Sequence, residues 1–235
     1  MNKVLSIVIP VFNKFSFTKS ALNDLFHLPD DHEIIIIDNG SSDETESELK
    51  DNKEISYYRN SNNQGFSAAC NIGYGMASAP NVLFLNNDIR VKSNKDNWTK
   101  LLIDKCVNAL VGPTMGKLDD NFNFIKESNE YLDGNSYLSG WCIASSKDIW
   151  NKLKIKQPFG IMTDCYVPHI WDNQFFYFSD PDLCWRAKQL GIKMEVVDIP
   201  VVHFGKISSA QLNVGKLYNE GRNLFINKWG SDANR

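Results

Sequence analysis

Two carboxylates, two positions apart, carry the most direct chemical signal in the sequence. Asp180 and Asp182 lie in FFYFSDPDLCWRAKQLG, where an aromatic stretch predicts a strand and the residues after it predict a helix. Pro181 suits the first helical position and Asp180 suits the helix N-cap. An exposed carboxylate on such a corner can take a proton from a hydroxyl group, so we predict a general base here. The alternative is that both acids only cap the helix and favour its dipole.

Three polar clusters follow predicted buried strands, and parallel α/β sheets bind ligands beyond the carboxyl ends of their strands. The clusters are residues 10–14, 38–43 and 86–88. The second could hydrogen-bond a nucleobase or ribose, or could be turn chemistry with a helix cap. The third ends in one carboxylate, Asp88, which beside a diphosphate suits Mg²⁺ or Mn²⁺. Its alternative is an ordinary Asn-Asp turn.

A histidine far along the chain suits the same metal site. His203 lies in the apolar run IPVVHFG. Its imidazole nitrogen is a possible metal ligand, whereas a lone histidine on a strand is more often a core residue. The residue types alone leave both interpretations open.

The composition narrows the class of protein. The chain has 235 residues, 43% hydrophobic and 23% charged, with a net charge of −3, which fits one globular domain. The absence of a basic run argues against phosphate-based nucleic-acid binding, and no apolar run is long enough for a membrane span. The apolar stretch at the start of the sequence is too short and too rich in β-branched residues for a signal peptide. Five cysteines without a CxxC pair fit a reducing cytosol.

Alternating strands and helices must position the candidate residues. We predict buried strands at 5–11, 33–37, 55–59, 82–85 and 110–112. We also predict helices in the first half of the chain. One begins at Ser16, another follows a capping box formed by Ser41 and Glu44, and a third covers residues 65–77. This pattern predicts an α/β fold with a doubly wound, mostly parallel sheet.

The second half of the chain mixes its elements. Residues 137–145 and 193–197 predict strands, and residues 208–229 predict a helix. Residues 156–173 predict a long irregular loop with prolines and aromatic side chains. We interpret this loop as a lid over the acceptor, with Trp171 stacking on a ring.

The order of the motifs resembles the family 2 glycosyltransferases of the GT-A fold, particularly their rhamnosyltransferase-like branch. The landmarks are SIVIPVFNK, IIIIDNGSSDET, NNQGFSAACN, FLNNDI, LSGWCIASS, FFYFSDPDLCWRAKQLG and VVHFG. The resemblance covers nearly the whole chain. It implies one GT-A domain over residues 1–235, with a nucleotide-sugar-binding half at 1–112 and an acceptor-binding, catalytic-base half at 113–235.

The resemblance also implies roles for single residues. Asp180 matches the usual general base, and Asp182 is a second candidate. The implied donor-binding residues are Pro10, Val11, Asn13, Asp38, Asn39, Asn63, Gly65, Asn71, Asn86, Asn87 and Asp88. Gly140 and Trp141 match the segment under the acceptor, which Trp171 is expected to complete. Asp88 and His203 match the ligands of a divalent metal, Mn²⁺ or Mg²⁺.

Two positions depart from the pattern of the family. The DXD-type motif reads Asn86-Asn87-Asp88, with one carboxylate, which implies modest metal affinity. The EDxDL segment reads SDPDL, so Ser179 replaces the usual glutamate, and an unusual acceptor is implied.

The implied function is a metal-dependent, inverting transfer of a hexosyl or pentosyl group in polysaccharide biosynthesis. The expected donor is a UDP- or dTDP-sugar, and the expected acceptor is a glycan or a lipid-linked acceptor, with a protein acceptor left open. The expected location is the cytoplasm, and a peripheral association with the inner face of the membrane is the alternative. Alternatives are a non-catalytic sugar-nucleotide or glycan-binding module and a transferase acting on modified phage DNA, which leaves a nucleic-acid acceptor open. A nucleotidyltransferase would need a Gly-rich phosphate loop where this chain has VFNKFSF.

Overall fold

The structure is a computed structural model that describes residues 3–29, 31–92, 97–159, 162–205 and 214–230. Its strands are β1 Leu5–Val11, β2 His32–Asp38, β3 Ile55–Arg59, β4 Asn81–Leu85, β5 Ile89–Val91, β6 Ala109–Gly112, β7 Met115–Leu118, β8 Phe124–Ser128, β9 Ser136–Leu138, β10 Cys142–Ser146, β11 Ile155–Phe159, β12 Met162–His169, β13 Lys193–Val196 and β14 Val201–His203. Its helices are α1 Phe15–Leu25, α2 Thr45–Leu49, α3 Phe66–Met76, α4 Trp98–Cys106, α5 Lys147–Lys152, α6 Ser179–Gln189 and α7 Val214–Trp229.

A seven-stranded sheet forms the centre of the fold, in the order β13-β6-β10-β4-β1-β2-β3. Strand β1 pairs in parallel with β2 and β4, β2 with β3, and β13 with β6. Only β10 runs antiparallel to its neighbours β4 and β6. Strands β1 and β4 are buried on both faces, and for this reason their sequences are mainly apolar, without alternation of apolar and polar residues. The expected α/β fold with a mostly parallel sheet and a mixed C-terminal part is confirmed.

Helices cover both faces of this sheet. One face packs against α1 and α4, which contribute Leu22, Leu25 and Leu102 to its core. The other packs against α3, α5 and α6. Helix α3 lies very close to the sheet, since a Cβ added at Gly73 would come within 2.2 Å of the Val8 side chain. A third core, which includes Phe225 and Trp229 of α7, joins α7 to α6.

Three small sheets complete the structure and were only partly predicted. Strands β8, β7 and β9 form a three-stranded antiparallel sheet, and β5 pairs with β14 as a two-stranded ribbon. The ribbon places His203 opposite Ile89 and therefore beside Asp88. The predicted strand at 137–145 divides into β9 and β10 because the chain turns at 139–141.

The predicted loop at 156–173 is wrong. Strands β11 and β12 pair antiparallel from Ile155 opposite His169, so most of this segment is a hairpin. The prolines favoured a loop, but they are tolerated in a two-stranded ribbon because each of its strands is an edge strand. Residues 208–213 of the predicted C-terminal helix lie outside the described residues, and the rest of it is α7.

The predicted capping box at the start of α2 is also absent. The Ser41 hydroxyl accepts a hydrogen bond from the Asn13 backbone N–H instead. The Asp43 carboxylate accepts the N–H groups of Thr45 and Phe15, at 3.1 and 3.0 Å, so it ties the start of α1 to the start of α2. Among the described residues, no helix has both the length and the apolar character needed to cross a membrane.

Trp171 is a core residue, so its assignment to the acceptor site is wrong. Its side chain is 0% exposed and packs edge-on against Phe66 and Phe84, with ring centroids 5.2 and 5.4 Å away. A side chain enclosed in this way cannot stack on a bound ring.

We expect Trp171→Ala to lower the free energy of unfolding by about 3–5 kcal/mol, because it leaves a large cavity between α3 and the sheet. Trp171→Phe, the control, should retain most of this stability. Urea unfolding measures both variants. A Trp171→Ala protein as stable as the wild type would show that the indole is not part of the core.

Candidate active site

The carboxyl ends of the parallel strands meet at one edge of the sheet, where the predicted donor residues lie. Val11 lies opposite Asp38 in the register of β1 and β2, and the Asn39 N–H donates to the Val11 carbonyl at 2.8 Å. Pro10 is half-buried, one residue earlier in β1. Asn86 follows β4, the other neighbour of β1. The three polar clusters of the sequence therefore come together.

Asp38 braces this edge with a buried carboxylate. It accepts hydrogen bonds from the Ser41 N–H at 2.8 Å, the Tyr57 hydroxyl at 2.6 Å and the Arg59 guanidinium at 2.8 Å. Burial, and then the hydrogen bond to Asp38, raise the pKa of Tyr57. The expected direct contact of Asp38 with a donor is not favoured, since its oxygens are already engaged. The partly exposed Arg59, which the sequence analysis missed, is the charged group that Asp38 holds at the strand end.

Two asparagines expected to contact the donor also hold the protein together. The Asn39 amide donates to the Gly65 carbonyl at 3.1 Å and accepts from the Asn60 side chain. The Asn71 side-chain oxygen accepts the N–H groups of Ile170 and Trp171, both at 3.0 Å. We therefore correct their role from ligand contact to support of the neighbouring loops.

Three other expected donor residues lie in turns that are exposed or half-buried. Asn13 has a left-handed backbone with φ of 57°, and its side-chain oxygen accepts the Ser42 N–H at 2.8 Å. The Asn63 side-chain oxygen accepts the Gly65 N–H at 2.9 Å. Gly65 has φ of 86°, which glycine adopts without strain, and it precedes α3. These turns keep their polar groups near solvent, where a donor could reach them.

The side chains of the Asn86-Asn87-Asp88 turn point to two different places, one toward helix α1 and two toward His203. The Asn87 amide is buried and donates to the Thr18 hydroxyl of α1 at 2.9 Å, so its expected donor contact is not favoured. The Asn86 amide nitrogen lies 3.2 Å from His203 Nε2. Asp88 Oδ1 lies 3.0 Å from the same nitrogen. The turn therefore directs an amide and a carboxylate to the imidazole of β14.

The Asp88–His203 pair fits a divalent cation. Asp88 Oδ1 is buried and has no hydrogen-bond partner among the described residues, although His203 Nε2 is close to it. Either a proton on the imidazole or a cation shared by both atoms would satisfy this oxygen. Neighbouring ligands in an octahedral site with ~2.1 Å bonds lie about 3 Å apart, which matches this pair. No group of three or more metal-ligating side chains occurs within the described residues, so further ligands would come from a diphosphate and water.

A short series of contacts joins this pair to the predicted base. The His203 imidazole stacks on the Trp141 indole, with centroids 4.9 Å apart and planes 10° from parallel. The preceding residue, Gly140, donates its N–H to Asp180 Oδ2 at 3.0 Å. A Cβ at Gly140 would lie 3.2 Å from the Asp180 Cβ, so a larger residue would crowd the carboxylate. Gly140 and Trp141 thus link Asp88 and His203 to Asp180.

Asp180 has the protonation properties that a general base needs. Burial raises the pKa of its carboxyl to about 6, the Gly140 N–H opposes that rise, and the Glu127 carboxylate adds to it. Helix α6 begins at Ser179 after Phe178, whose φ is 71°. Asp180 is therefore the second residue of the helix, and the prediction that it is the N-cap is wrong. A carboxyl with a pKa near 6 is mostly ionised at pH 7 and more basic than an ordinary aspartate.

Asp182 is not exposed, so the expected acidic pair and the role of Asp182 as a second base are wrong. Its carboxylate is 0% exposed. It contacts Arg186 Nε at 3.0 Å, Lys228 Nζ at 2.8 Å and Trp229 Nε1 at 3.0 Å. Arg186 donates in turn to backbone carbonyls of residues 153 and 170. Asp182 therefore fastens α6 to α7 and to the loops beneath it.

We expect Asp182→Asn to destabilise the protein by about 3 kcal/mol, because it leaves the cations around a buried carboxylate uncompensated. Turnover per folded molecule should fall much less than stability. The matched control is Asp148→Asn, which alters an exposed acid in the first turn of α5 and should change stability by less than about 0.5 kcal/mol. Equal unfolding midpoints in urea for both variants would refute the structural role.

The sequence model of the family described as "Glycosyl transferase family 2" matches residues 6–167. Among curated proteins, a segment of the chain is 36% identical over 90 residues to the GalNAc(5)-diNAcBac-PP-undecaprenol beta-1,3-glucosyltransferase of Campylobacter jejuni, covering 36% of this chain and 29% of that protein. It is also 36% identical over 89 residues to an uncharacterized glycosyltransferase of Rickettsia conorii, covering 36% of this chain and 14% of that protein. The chain thus matches less than a third of the length of either relative.

Solved structures share the fold at low sequence identity. The mannosyltransferase PcManGT from Pyrobaculum calidifontis, in complex with GDP-Man and Mn²⁺, has a TM-score of 0.58 and 12% identity over 84% of this chain and 55% of that chain. Staphylococcus aureus TarS, in complex with UDP-GlcNAc, has a TM-score of 0.58 and 16% identity over 97% of this chain and 67% of the TarS fragment. Both likenesses support the GT-A fold. The family match spans well over half of the chain, and the chain therefore belongs to glycosyl transferase family 2.

Proposed function

We propose that the chain transfers a sugar from a nucleotide-sugar donor to an acceptor hydroxyl, with a divalent metal at Asp88 and His203 and with inversion at the anomeric carbon. One observation carries this proposal. The unsatisfied Asp88 oxygen and the half-buried Asp180 carboxylate belong to one continuous set of contacts through Trp141 and Gly140. A site for leaving-group charge and a site for proton removal are thereby held together.

The donor is assigned to the carboxyl edge of the sheet, within residues 1–112. A metal ion held by Asp88 and His203 would act as a Lewis acid toward the diphosphate. Its identity, Mn²⁺ or Mg²⁺, remains part of the proposal, and the Mn²⁺ in the PcManGT complex supports it. TarS has been solved with UDP-GlcNAc, which supports a UDP-sugar as the first donor to test, with a dTDP-sugar as the second.

The acceptor and the base are assigned to residues 113–235. Asp180 takes the proton of the acceptor hydroxyl as that oxygen bonds to the anomeric carbon. The Gly140 N–H fixes the carboxylate, so the base is oriented before the acceptor arrives. One displacement from the face opposite the diphosphate inverts the anomeric centre. We further propose a hexosyl or pentosyl transferase of the rhamnosyltransferase-like branch, working in the cytoplasm on polysaccharide at the inner membrane face.

A thermal-shift panel tests this function directly. The chain is heated with Mn²⁺ and with UDP-, dTDP- and GDP-sugars in turn. A donor at ~100 times its dissociation constant should add roughly 2.7 kcal/mol to the stability of the protein. The expected result is stabilisation by one nucleotide class that disappears with a chelator. No stabilisation by any of the donors would contradict the proposal.

A further inference from the structure

A polar cleft borders the candidate active site, and the proposed reaction accounts for only one of its walls. Its volume is about 590 Å³, within the range of small-ligand sites. Trp141 and His203 form the wall shared with the active site. Glu127 and Asn129 line it from the segment that begins in β8, and Lys92 lines it beyond β5.

One oxygen of the Glu127 carboxylate is held by the protein, and the other is available to a ligand. The Ser139 hydroxyl donates to Glu127 Oε1 at 2.6 Å, and the Ser139 N–H donates to the Thr114 carbonyl at 2.9 Å. The orienting hydroxyl is therefore fixed to the protein itself. Glu127 Oε2 accepts no hydrogen bond from any residue within the described parts of the chain. A carboxylate has about four acceptor positions, so most of the capacity of Glu127 is open to a ligand in the cleft.

The walls of the cleft select a class of ligand. The lining carries two carboxylates, Glu127 and Asp198, and one ammonium group, Lys92, so the charges do not favour a polyanion. An alkyl chain would have to remove water from these charged groups without replacing their hydrogen bonds. A sugar ring offers hydroxyl donors for the carboxylates and an apolar C–H face for Trp141 and the nearby Pro200. The lining therefore fits a neutral, hydroxyl-rich ring.

We propose that this cleft binds a sugar ring of the acceptor and that Glu127 anchors the ring by accepting hydrogen bonds from its hydroxyl groups. The proposal rests on the proposed function, because it assigns the residue that selects the acceptor ring of that reaction. Ser139, which orients Glu127, directly precedes Gly140, which orients Asp180. The anchor and the base are thus fixed by two adjacent residues, so a ring held by Glu127 is presented at a set position relative to the base. Glu127 is a specificity residue in this scheme.

Saturation-transfer NMR with methyl glycosides of glucose, galactose, N-acetylglucosamine and rhamnose tests the cleft without any need for turnover. We expect at least one glycoside to bind the wild type in the millimolar range. Glu127→Gln should weaken that binding by at least ~10-fold, since hydrogen bonds to a charged acceptor are lost. Ser139→Ala, which removes the orienting hydroxyl, should weaken it to a smaller extent. Glu130→Gln, the matched control, changes an exposed acid three residues along the chain and should bind as the wild type does.

The outcomes separate this inference from the proposed function. Each variant is also assayed for nucleoside diphosphate release from UDP-glucose, UDP-GlcNAc, dTDP-glucose and GDP-mannose with Mn²⁺, both without an acceptor and with each of the glycosides. Two results would overturn the cleft as a sugar site and leave the proposed transfer reaction standing. They are nucleoside diphosphate release without any glycoside binding, and release with equal glycoside binding by the wild type and Glu127→Gln. Glycoside binding that depends on Glu127, without release from any donor, would support the cleft as a sugar site and contradict the transfer reaction. Equal loss in Glu127→Gln and Glu130→Gln would also overturn the role of Glu127.

Discussion

Asp180→Asn should reduce kcat by roughly 10²–10⁴-fold, the usual contribution of a general base. The amide keeps the shape of the side chain and can still accept the Gly140 N–H, but it cannot take a proton from the acceptor. Donor affinity should stay near that of the wild type, because Asp180 is linked to the Asp88–His203 pair indirectly, through Gly140 and Trp141. The measurement is kcat together with the donor dissociation constant.

Asp182→Asn is the informative comparison for this variant. It removes a charge from the same helical turn, but its carboxylate is enclosed by Arg186 and Lys228. The first variant should lose turnover without losing stability, whereas the second should lose stability and keep turnover per folded molecule. The opposite pattern would mean that the base has been misassigned.

The pKa of Asp180 gives the reaction a defined pH dependence. Because burial raises this pKa to about 6 from an ordinary 3.8, kcat should rise with pH up to about pH 6 and then level off. The titratable groups coupled to Asp180 among the described residues are Glu127, Tyr137 and Cys184. Glu127 raises the pKa of Asp180, and the pKa values of Tyr137 and Cys184 are themselves raised, chiefly by burial, so these two groups stay neutral near pH 6. A rate that is constant between pH 5 and 7 would contradict the role of Asp180.

The same shift predicts how stability depends on pH. A carboxyl with a raised folded-state pKa favours folding fully below the unfolded pKa of about 4, and this advantage is lost as pH rises through 6. Asp180→Asn never ionises, so it should melt higher than the wild type at pH 8 and by a smaller margin at pH 4. Thermal melts at the two pH values provide the check.

Asp88→Asn should weaken metal-dependent donor binding by at least about 100-fold. Loss of groups that merely support a metal ligand costs 10–100-fold, and Asp88 is the only carboxylate of its turn. The substitution keeps the shape of the side chain, so the Phe204 N–H should still donate to the residue 88 carbonyl. Donor titrations with Mn²⁺, with and without a chelator, measure the effect.

His203→Ala should show the same loss in these titrations, with a somewhat lower melting temperature because the stack on Trp141 is removed. Asp104→Asn is the control, since that exposed acid of α4 pairs with the exposed Lys100, away from Asp88 and His203 in the sequence. Donor affinity that is equal in the wild type and both variants, and insensitive to the chelator, would exclude a metal at this pair. A loss of stability alone in His203→Ala would identify His203 as a core residue.

The central sheet could be predicted because its signal is local. The runs from Ile7 to Val11 and from Ile34 to Ile37 are apolar at every position, as strands buried on both faces must be, and the polar groups after them fall at one edge. The two-stranded ribbon that brings His203 to Asp88 joins residues more than 100 positions apart, so only the motif resemblance indicated that contact.

Side-chain partners explain where the sequence analysis failed. Asp180 and Asp182 have the same residue type and nearly the same position, and only the cations of α6 and α7 around Asp182 distinguish them. No local signal in the sequence indicated the contact between Asn71 and Trp171. The Trp171 N–H donates to the Asn71 side chain, and the two residues are about 100 positions apart. Glu127 gave no local signal, because the hydroxyl that orients it belongs to Ser139, which lies across the three-stranded sheet.

The most direct test of the sugar-transfer account is nucleoside diphosphate release from the stabilising nucleotide sugar, measured with Mn²⁺ for the wild type, Asp88→Asn and Asp180→Asn in parallel. We predict release by the wild type that stops with a chelator, loss of donor binding in Asp88→Asn, and normal donor binding with little release in Asp180→Asn. Donor binding without release by the wild type at any pH between 5 and 9, with or without the glycosides that bind its cleft, would contradict the account and identify a binding protein.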